Sequence, residues 1–234
     1  MSASRLRALS FNIHGALGRD GRRDLLRVAR ILRDLACDIV ALQEVDSRPG
    51  PHSAVEQAAL LEEWTGLRAL AGPTLLASDR HYGNLLLVKP PLLKLDRIDL
   101  SQAGREPRGA LDARLEMSTG PLRVIATHLG LSLRERHRQV TQLLECVERE
   151  RTPTLLMGDF NEWLPGIGVL PRIHRLFTRR RTPATFPLPW PLLALDRIWG
   201  RPDGLIASLH TPIHSDVPQA SDHLPLVAEL SLRE

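Results

Sequence analysis

The chain is short of cysteine, of lysine and of long apolar runs, and each shortage narrows what it can be. Two cysteines in 234 residues exclude a disulfide-built scaffold. Both, Cys37 and Cys146, sit among apolar neighbours and read as small buried hydrophobes rather than as a catalytic thiol. No apolar stretch approaches the roughly 18 residues of a membrane span, and Lys89 and Pro90 break the best one, Leu85 to Leu93. The first ten residues hold no apolar signal core and no small-residue cleavage site, so a cytoplasmic protein without a transmembrane segment is expected. Three familiar mechanisms lack their residues. There is no G-x-S-x-G elbow for a serine hydrolase, and neither lysine follows a glycine as a phosphate-cradling GxxxxGK[ST] loop requires. His210 and His214 have the spacing of a zinc helix, but Pro212 lies between them and no Glu follows the first histidine.

Lys89 and Lys94 are the only lysines among 31 basic residues, and the net charge is +4 with a pI of about 9.8. Arginine suits bidentate phosphate contacts. Most of the arginines nevertheless lie on amphipathic segments, where a charged solvent face is expected. Only Arg179-Arg180-Arg181 hints at a patch, and a charge run is usually a solvated surface.

Apolar residues make up 43% of the chain and charged residues 25%, enough for a sizeable core and against disorder, collagen or a coiled coil. Strand-like and helix-like segments alternate with no linker and no repeat, so one domain over residues 1–234 is expected. Arg5 to Phe11 alternates as a strand, and Asp24 to Leu35 sets Leu25, Val28, Leu32 and Leu35 on one helical stripe. Asp38 to Gln43 reads as a buried strand. Ser53 with Glu56, and Ser132 with Glu135, have the spacing of capping boxes opening two further helices. Strands are expected at Leu85 to Val88, Leu92 to Ile98, Ala110 to Met117, Leu122 to Thr127, Thr154 to Met157, Ala194 to Trp199, Gly204 to Leu209 and Leu224 to Leu230. Many strands and few helices imply mixed α/β layering rather than strict βαβ winding.

Polar residues cluster just past the ends of these apolar runs, where a sheet presents its rim to a ligand. Asn12 follows Leu9-Ser10-Phe11, Glu44 ends Ile39 to Gln43, and His128 ends Val124 to Thr127. Asp159 and Asn161 end Leu155 to Gly158, Asp196 interrupts Leu195 and Arg197, and Asp222 and His223 precede Leu224. Singly, Asp or Asn at a strand end is a common turn former, and a lone His is more often a satisfied structural residue. Together they make a carboxylate-rich set with amides and imidazoles, and oxygen ligands favour Mg²⁺ or Mn²⁺.

The motifs Phe11-Asn12-Ile13-His14-Gly15, Leu42-Gln43-Glu44-Val45-Asp46, Gly83-Asn84, Thr127-His128-Leu129, Gly158-Asp159-Phe160-Asn161, Leu195-Asp196-Arg197-Ile198 and Ser221-Asp222-His223-Leu224-Pro225 stand in family order. From about residue 5 onward the chain resembles the endonuclease/exonuclease/phosphatase superfamily. The resemblance implies a four-layered α/β sandwich like that of pancreatic-type deoxyribonuclease: two mixed sheets face to face, helices outside and the active site at one rim.

The resemblance also implies roles. Glu44 is the principal metal ligand, with Asn12 beside it and Asp222 ligating directly or through water. Asp159 orients or deprotonates the attacking water, and Asn161 holds the phosphate. His223, oriented by Asp196, donates to a non-bridging oxygen, and the pair favours a protonated imidazole. His128 is a second phosphate donor and Arg108 a third. Asn84 is a substitute hydrogen-bond partner for His128, and His14, which replaces the acid of abasic-site endonucleases and tyrosyl-DNA phosphodiesterases, is counted with the substrate-binding residues. The expected enzyme is a monomeric metal-dependent phosphodiesterase acting first on nucleic acid. A phospholipid or other small phosphodiester is the close alternative, followed by a phosphomonoester and then by a non-catalytic binding module.

Overall fold

The computed structural model describes residues 6–47, 54–73, 81–164 and 166–232. Among these described residues, eleven strands form two sheets. The first holds β1 (Arg7–Asn12), β2 (Ile39–Ser47), β3 (Arg68–Pro73), β4 (His81–Val88), β10 (Ile206–His210) and β11 (Leu226–Leu230), in the order β10-β11-β1-β2-β4-β3. The second runs β5-β6-β7-β8-β9, from β5 (Leu92–Asp99) through β6 (Gly109–Leu115), β7 (Leu122–His128) and β8 (Thr154–Asp159) to β9 (Asp196–Arg201). Pairing is parallel between β1 and β2 and between β7 and β8, and antiparallel elsewhere.

Strands whose two faces are both covered read as unbroken apolar runs, because successive side chains point to opposite faces and neither face meets water. Ala8, Ile39, Ala41, Leu86 and Val88 of the first sheet meet Ala113, Val124, Ala126, Leu155 and Met157 of the second in one core. Their alternates, Leu9, Phe11, Val40, Leu42 and Leu85, face outward and pack on Val28, Ile31 and Leu32 of α1 (Leu25–Leu35) and Leu61 of α2 (Ala54–Thr65). On the other side Ile125, Leu156 and Trp199 pack on Val140, Leu143 and Val147 of α3 (Leu133–Glu148). The layers are therefore helix, sheet, sheet, helix, the four-layered α/β sandwich expected. Burying each of these Leu, Ile or Val side chains is worth about 1.5–3 kcal/mol.

Helix ends follow local chemistry in α1, where the Asp24 carboxylate accepts from Arg27 N at 3.0 Å and Ala36 stops the helix in the left-handed region at φ 48°. The capping box expected at Ser132 is not formed. Ser132 is the N-cap, but its side chain caps nothing. Glu135 is instead buried, takes a bond from Gln139 Nε2 at 3.2 Å, and lies so close to Gly130 that a Cβ there would stand 1.9 Å from its carboxyl carbon. Ser53 lies outside the described residues. The strand β3 was not expected: Arg68-Ala-Leu-Ala lacks β-branched residues, and its place at the sheet edge rests on pairing with β4. Two short α-helices, α4 (Leu170–Ile173) and α5 (Val217–Ala220), also lie among the described residues. Arg179 to Arg181 form no patch at the rim described below, since Arg180 bonds Ala207 O and neighbouring Thr178 bonds Asp203, at the opposite end of the sheets. No described helix is long and apolar enough to cross a membrane.

Candidate active site

The polar strand ends gather at one rim of the sandwich. His128 on β7 lies in register with Asp159 on β8, and Asp159 with Asp196 on β9, so three site residues form one row across the second sheet. Asn12 ends β1 of the facing sheet and bridges the two: its Nδ2 donates to Glu44 Oε1 at 2.9 Å and to Asp159 Oδ2 at 3.0 Å. Its Oδ1 accepts from His14 N at 3.0 Å, which curls the chain back after the strand.

Glu44 reaches this point through a β-bulge. The pairing of β2 with β4 shifts register between Leu42 and Val45, and Glu44 itself has φ 57°. A bulge re-aims a side chain at a sheet rim, and a non-glycine residue held in the left-handed region stores strain that the surrounding fold must support. His14, at φ 49°, is another such residue at this edge. Its Nδ1 lies 3.8 Å from Glu44 Oε2 and 3.6 Å from Asp222 Oδ1, and its side chain is nearly half exposed.

The segment Gly158-Asp159-Phe160-Asn161 explains itself sterically. Gly158 has φ 142°, and a Cβ there would fall 1.8 Å from Thr127 O on the neighbouring strand. Asp159 is buried, and its Oδ1 accepts from Asn161 N at 2.9 Å, turning the chain at the strand end. Asn161, at φ 48°, donates from Nδ2 to Leu129 O at 2.9 Å and lies 3.0 Å from His128 Nε2.

The two imidazoles are held in opposite charge states. His223 Nδ1 lies 2.8 Å from Asp196 Oδ2, and its Nε2 faces Asp159 Oδ2 at 4.0 Å. Burial opposes its charge, but the Asp196 carboxylate, by charge and hydrogen bond, with Asp159 and Asp222 behind it, outweighs that and holds the pKa at about 9. The balance at His128 falls the other way: burial, helped by the Arg108 and His223 charges, outweighs Asp159 and lowers its pKa to about 3. His128 is therefore neutral at pH 7. Its Nδ1 meets Arg108 Nη1 at 3.2 Å and its Nε2 lies 3.5 Å from Asp159 Oδ2. Arg108 thus stands behind the ring, with Nη2 on Glu106 Oε2 at 2.9 Å. Asn84 is not the partner of His128 expected from sequence: it lies on β4, and its Nδ2 donates to Gly109 O at 2.9 Å instead.

Two residues without an assigned role complete the frame. Ser221 Oγ donates to Asn12 O at 2.7 Å and accepts from His223 N at 3.1 Å, tying the turn before β11 to the end of β1. The Phe186 ring covers His223 with centroids 4.7 Å apart. Ser221 stands inside a legible motif, whereas Phe186 comes from a proline-rich loop with no pattern to mark it. Cys37 and Cys146 play no part: they lie at the far ends of β2 and α3, and burial pushes the Cys37 thiol up to about 11. Among the described residues no three His, Cys, Asp or Glu side chains stand preassembled as a cation cage. The donor chemistry of Glu44, Asp222 and Asn12 is nevertheless that of hard divalent cations, oxygen-rich and free of thiol.

The model of the Endonuclease/Exonuclease/phosphatase family matches residues 9–223. The uncharacterized protein YbhP of Escherichia coli K12 is 32% identical over 249 residues, covering 97% of this chain and 96% of its own. Among solved structures, an endonuclease/exonuclease/phosphatase of Beutenbergia cavernae superposes with a TM-score of 0.82 at 25% identity, over 97% of this chain and 72% of that one. A mannosyl-6-phosphatase of Bacteroides thetaiotaomicron superposes with a TM-score of 0.72 at 17% identity, over 97% of this chain and all of that one. With its fold, its rim of acids and imidazoles and these likenesses together, the chain belongs to the endonuclease/exonuclease/phosphatase family.

Proposed function

We propose that the chain is a divalent-metal-dependent phosphodiesterase. The observation that carries this reading is the buried row Asp196–His223–Asp159, which sets an imidazole opposite a carboxylate beside the further carboxylates of Glu44 and Asp222. Glu44 and Asp222 would hold Mg²⁺ or Mn²⁺, with the Asn12 carboxamide and the His14 imidazole at its edge. The ion supplies charge neutralisation at the phosphoryl oxygens.

The remaining roles belong to the chain's own groups. Asp159 accepts the proton of, or orients, a water aimed at phosphorus, while the Asn12 amide keeps that carboxylate turned toward the metal side. His223, charged through neutral pH, donates to a non-bridging oxygen as negative charge grows in the transition state. Asn161 and neutral His128 flank the phosphate, with Arg108 fixing His128 from behind. A phosphomonoesterase is the second reading, favoured by the likeness to a mannosyl-6-phosphatase over the whole length of that protein. The test is turnover of bis-p-nitrophenyl phosphate against p-nitrophenyl phosphate, single-stranded DNA, RNA and a phospholipid, with Mg²⁺ or Mn²⁺. Faster cleavage of diesters, lost in Glu44→Ala, is the expected result; monoester cleavage alone would move the assignment to the second reading.

A further inference from the structure

Nine large apolar side chains are exposed among the described residues, and six of them stand on three loops that leave the active-site rim. Leu131 follows β7; Trp163, Leu164 and Ile167 follow β8; Trp190 and Leu192 lie on the connection into β9. Trp190 is 79% exposed, Leu192 81% and Ile167 70%. An apolar surface of this kind beside a site marks something that the site binds.

These loops are held from below rather than left to collapse inward. Arg136, fully buried, donates to Leu131 O at 2.5 Å and pairs with the buried Glu162 carboxylate at 3.4 Å. Glu162 in turn accepts from Leu164 N at 2.9 Å and Val169 N at 2.8 Å, and Gly168 has no room for a Cβ beside it. The third loop is fastened by Leu188 N to Asp222 O at 2.8 Å and by Phe186 on His223. A buried ion pair thus fixes apolar side chains facing water, and costs the fold desolvation to do so.

These loops leave the rim at which the phosphodiesterase reading sets the phosphate, so one ligand meeting both would join a phosphodiester to apolar matter. Four of the six side chains are aliphatic and offer no ring on which a base could stack. Exposed Arg19, Arg22, Arg105 and Arg134 stand on loops or a helix start at the same rim and complement an anionic surface. Tryptophan, leucine and arginine together are the composition of a surface that sits at a bilayer interface.

We propose that this rim docks on an anionic phospholipid surface and that the diester cleaved is that of a phospholipid headgroup, an inference resting on the phosphodiesterase reading. The test is flotation with vesicles of phosphatidylcholine and phosphatidylglycerol, 3:1, against phosphatidylcholine alone, at low and high salt. Wild type and Glu44→Ala should both bind the anionic vesicles, with a blue shift of tryptophan emission. A Trp163→Ser/Trp190→Ser variant should lose at least ten-fold in partitioning while its circular dichroism is retained. Ile167→Ser/Leu192→Ser serves if the first pair does not fold. Absence of vesicle binding by wild type, undiminished binding by folded variants, or tighter capture of a single-stranded oligonucleotide would each overturn the proposal. So would a dimer abolished by the same substitutions. Failure of bis-p-nitrophenyl phosphate cleavage would strike the phosphodiesterase reading instead and leave the vesicle result standing.

Discussion

His223 Nδ1 and Asp196 Oδ2 meet at 2.8 Å in a place closed to solvent, and that contact keeps a buried imidazole charged up to about pH 9. If the donor form of His223 is needed in the reaction, kcat holds through neutral pH and falls with an alkaline midpoint near 9. Asp196→Asn keeps the shape and removes the charge, so the limb moves toward or below 6.5 and kcat falls on the order of 10² to 10⁴. Asp196 could instead act only as a structural turn residue before Arg197. In that case kcat against pH for the two proteins shows the same alkaline limb, and the pair is rejected as the source of the His223 charge.

The same two imidazoles set opposite limits on stability. His223 has a folded pKa above its unfolded value of 6.5, so the stability from its pair is complete below pH 6.5 and lost as pH rises through about 9. His128 has a folded pKa of about 3, below 6.5, so its contribution is complete above 6.5 and lost as pH falls toward 3. Between pH 6.5 and 5 that loss is about 2 kcal/mol for one such histidine. Thermal melts without added metal should show Tm declining across this window, and His128→Asn should flatten the decline; an equally steep decline in the variant counts against a neutral buried His128.

Glu44→Ala removes the carboxylate that the bulge aims at the rim. Titration calorimetry should show weakened Mg²⁺ or Mn²⁺ binding, with activity abolished and the fold retained, since Glu44 is partly exposed and alanine, which keeps the Cβ, leaves the strain at φ 57° unchanged. Unchanged metal affinity would remove Glu44 from the ligand set.

Gly158→Ala should fail for a purely steric reason. The added methyl collides with Thr127 O, and φ 142° is closed to alanine, so a loss of 3 kcal/mol or more is expected, on the order of the largest single-residue effects. Denaturant unfolding measures it. A loss below 1 kcal/mol would mean that β7 and β8 can part at this row without cost.

How much of this was legible follows from what burial does to a sequence. Strands covered on both faces carry apolar runs, Leu155-Leu156-Met157 in β8 and Val124-Ile125-Ala126 in β7, and the polar residues that end them stand out for that reason. The site was visible as interruptions of a pattern. The edge strand Arg68–Pro73 has no such signature, because pairing with β4 rather than its own composition makes it a strand. Asn84 was misplaced because nothing in the chain reveals that its amide is taken by Gly109 O across the facing sheet. The Ser132–Glu135 spacing is a true capping signal in isolation, and here the tertiary contacts of Glu135 with Gly130 and Gln139 outcompete it. Backbone devices, the bulge at Glu44 and the left-handed turns at His14 and Asn161, leave no mark in composition.

The pairing of β1 with β11 joins Arg7 to Glu229 and brings Ser221 onto Asn12. During synthesis on the ribosome, the first strand must therefore wait, with its partner place vacant, until nearly the whole chain has emerged. A nascent chain or fragment that stops before Asp222 carries Asn12, Glu44 and Asp159 but neither Asp222 nor His223, so the rim described above stays incomplete until the segment leading into β11 has been made.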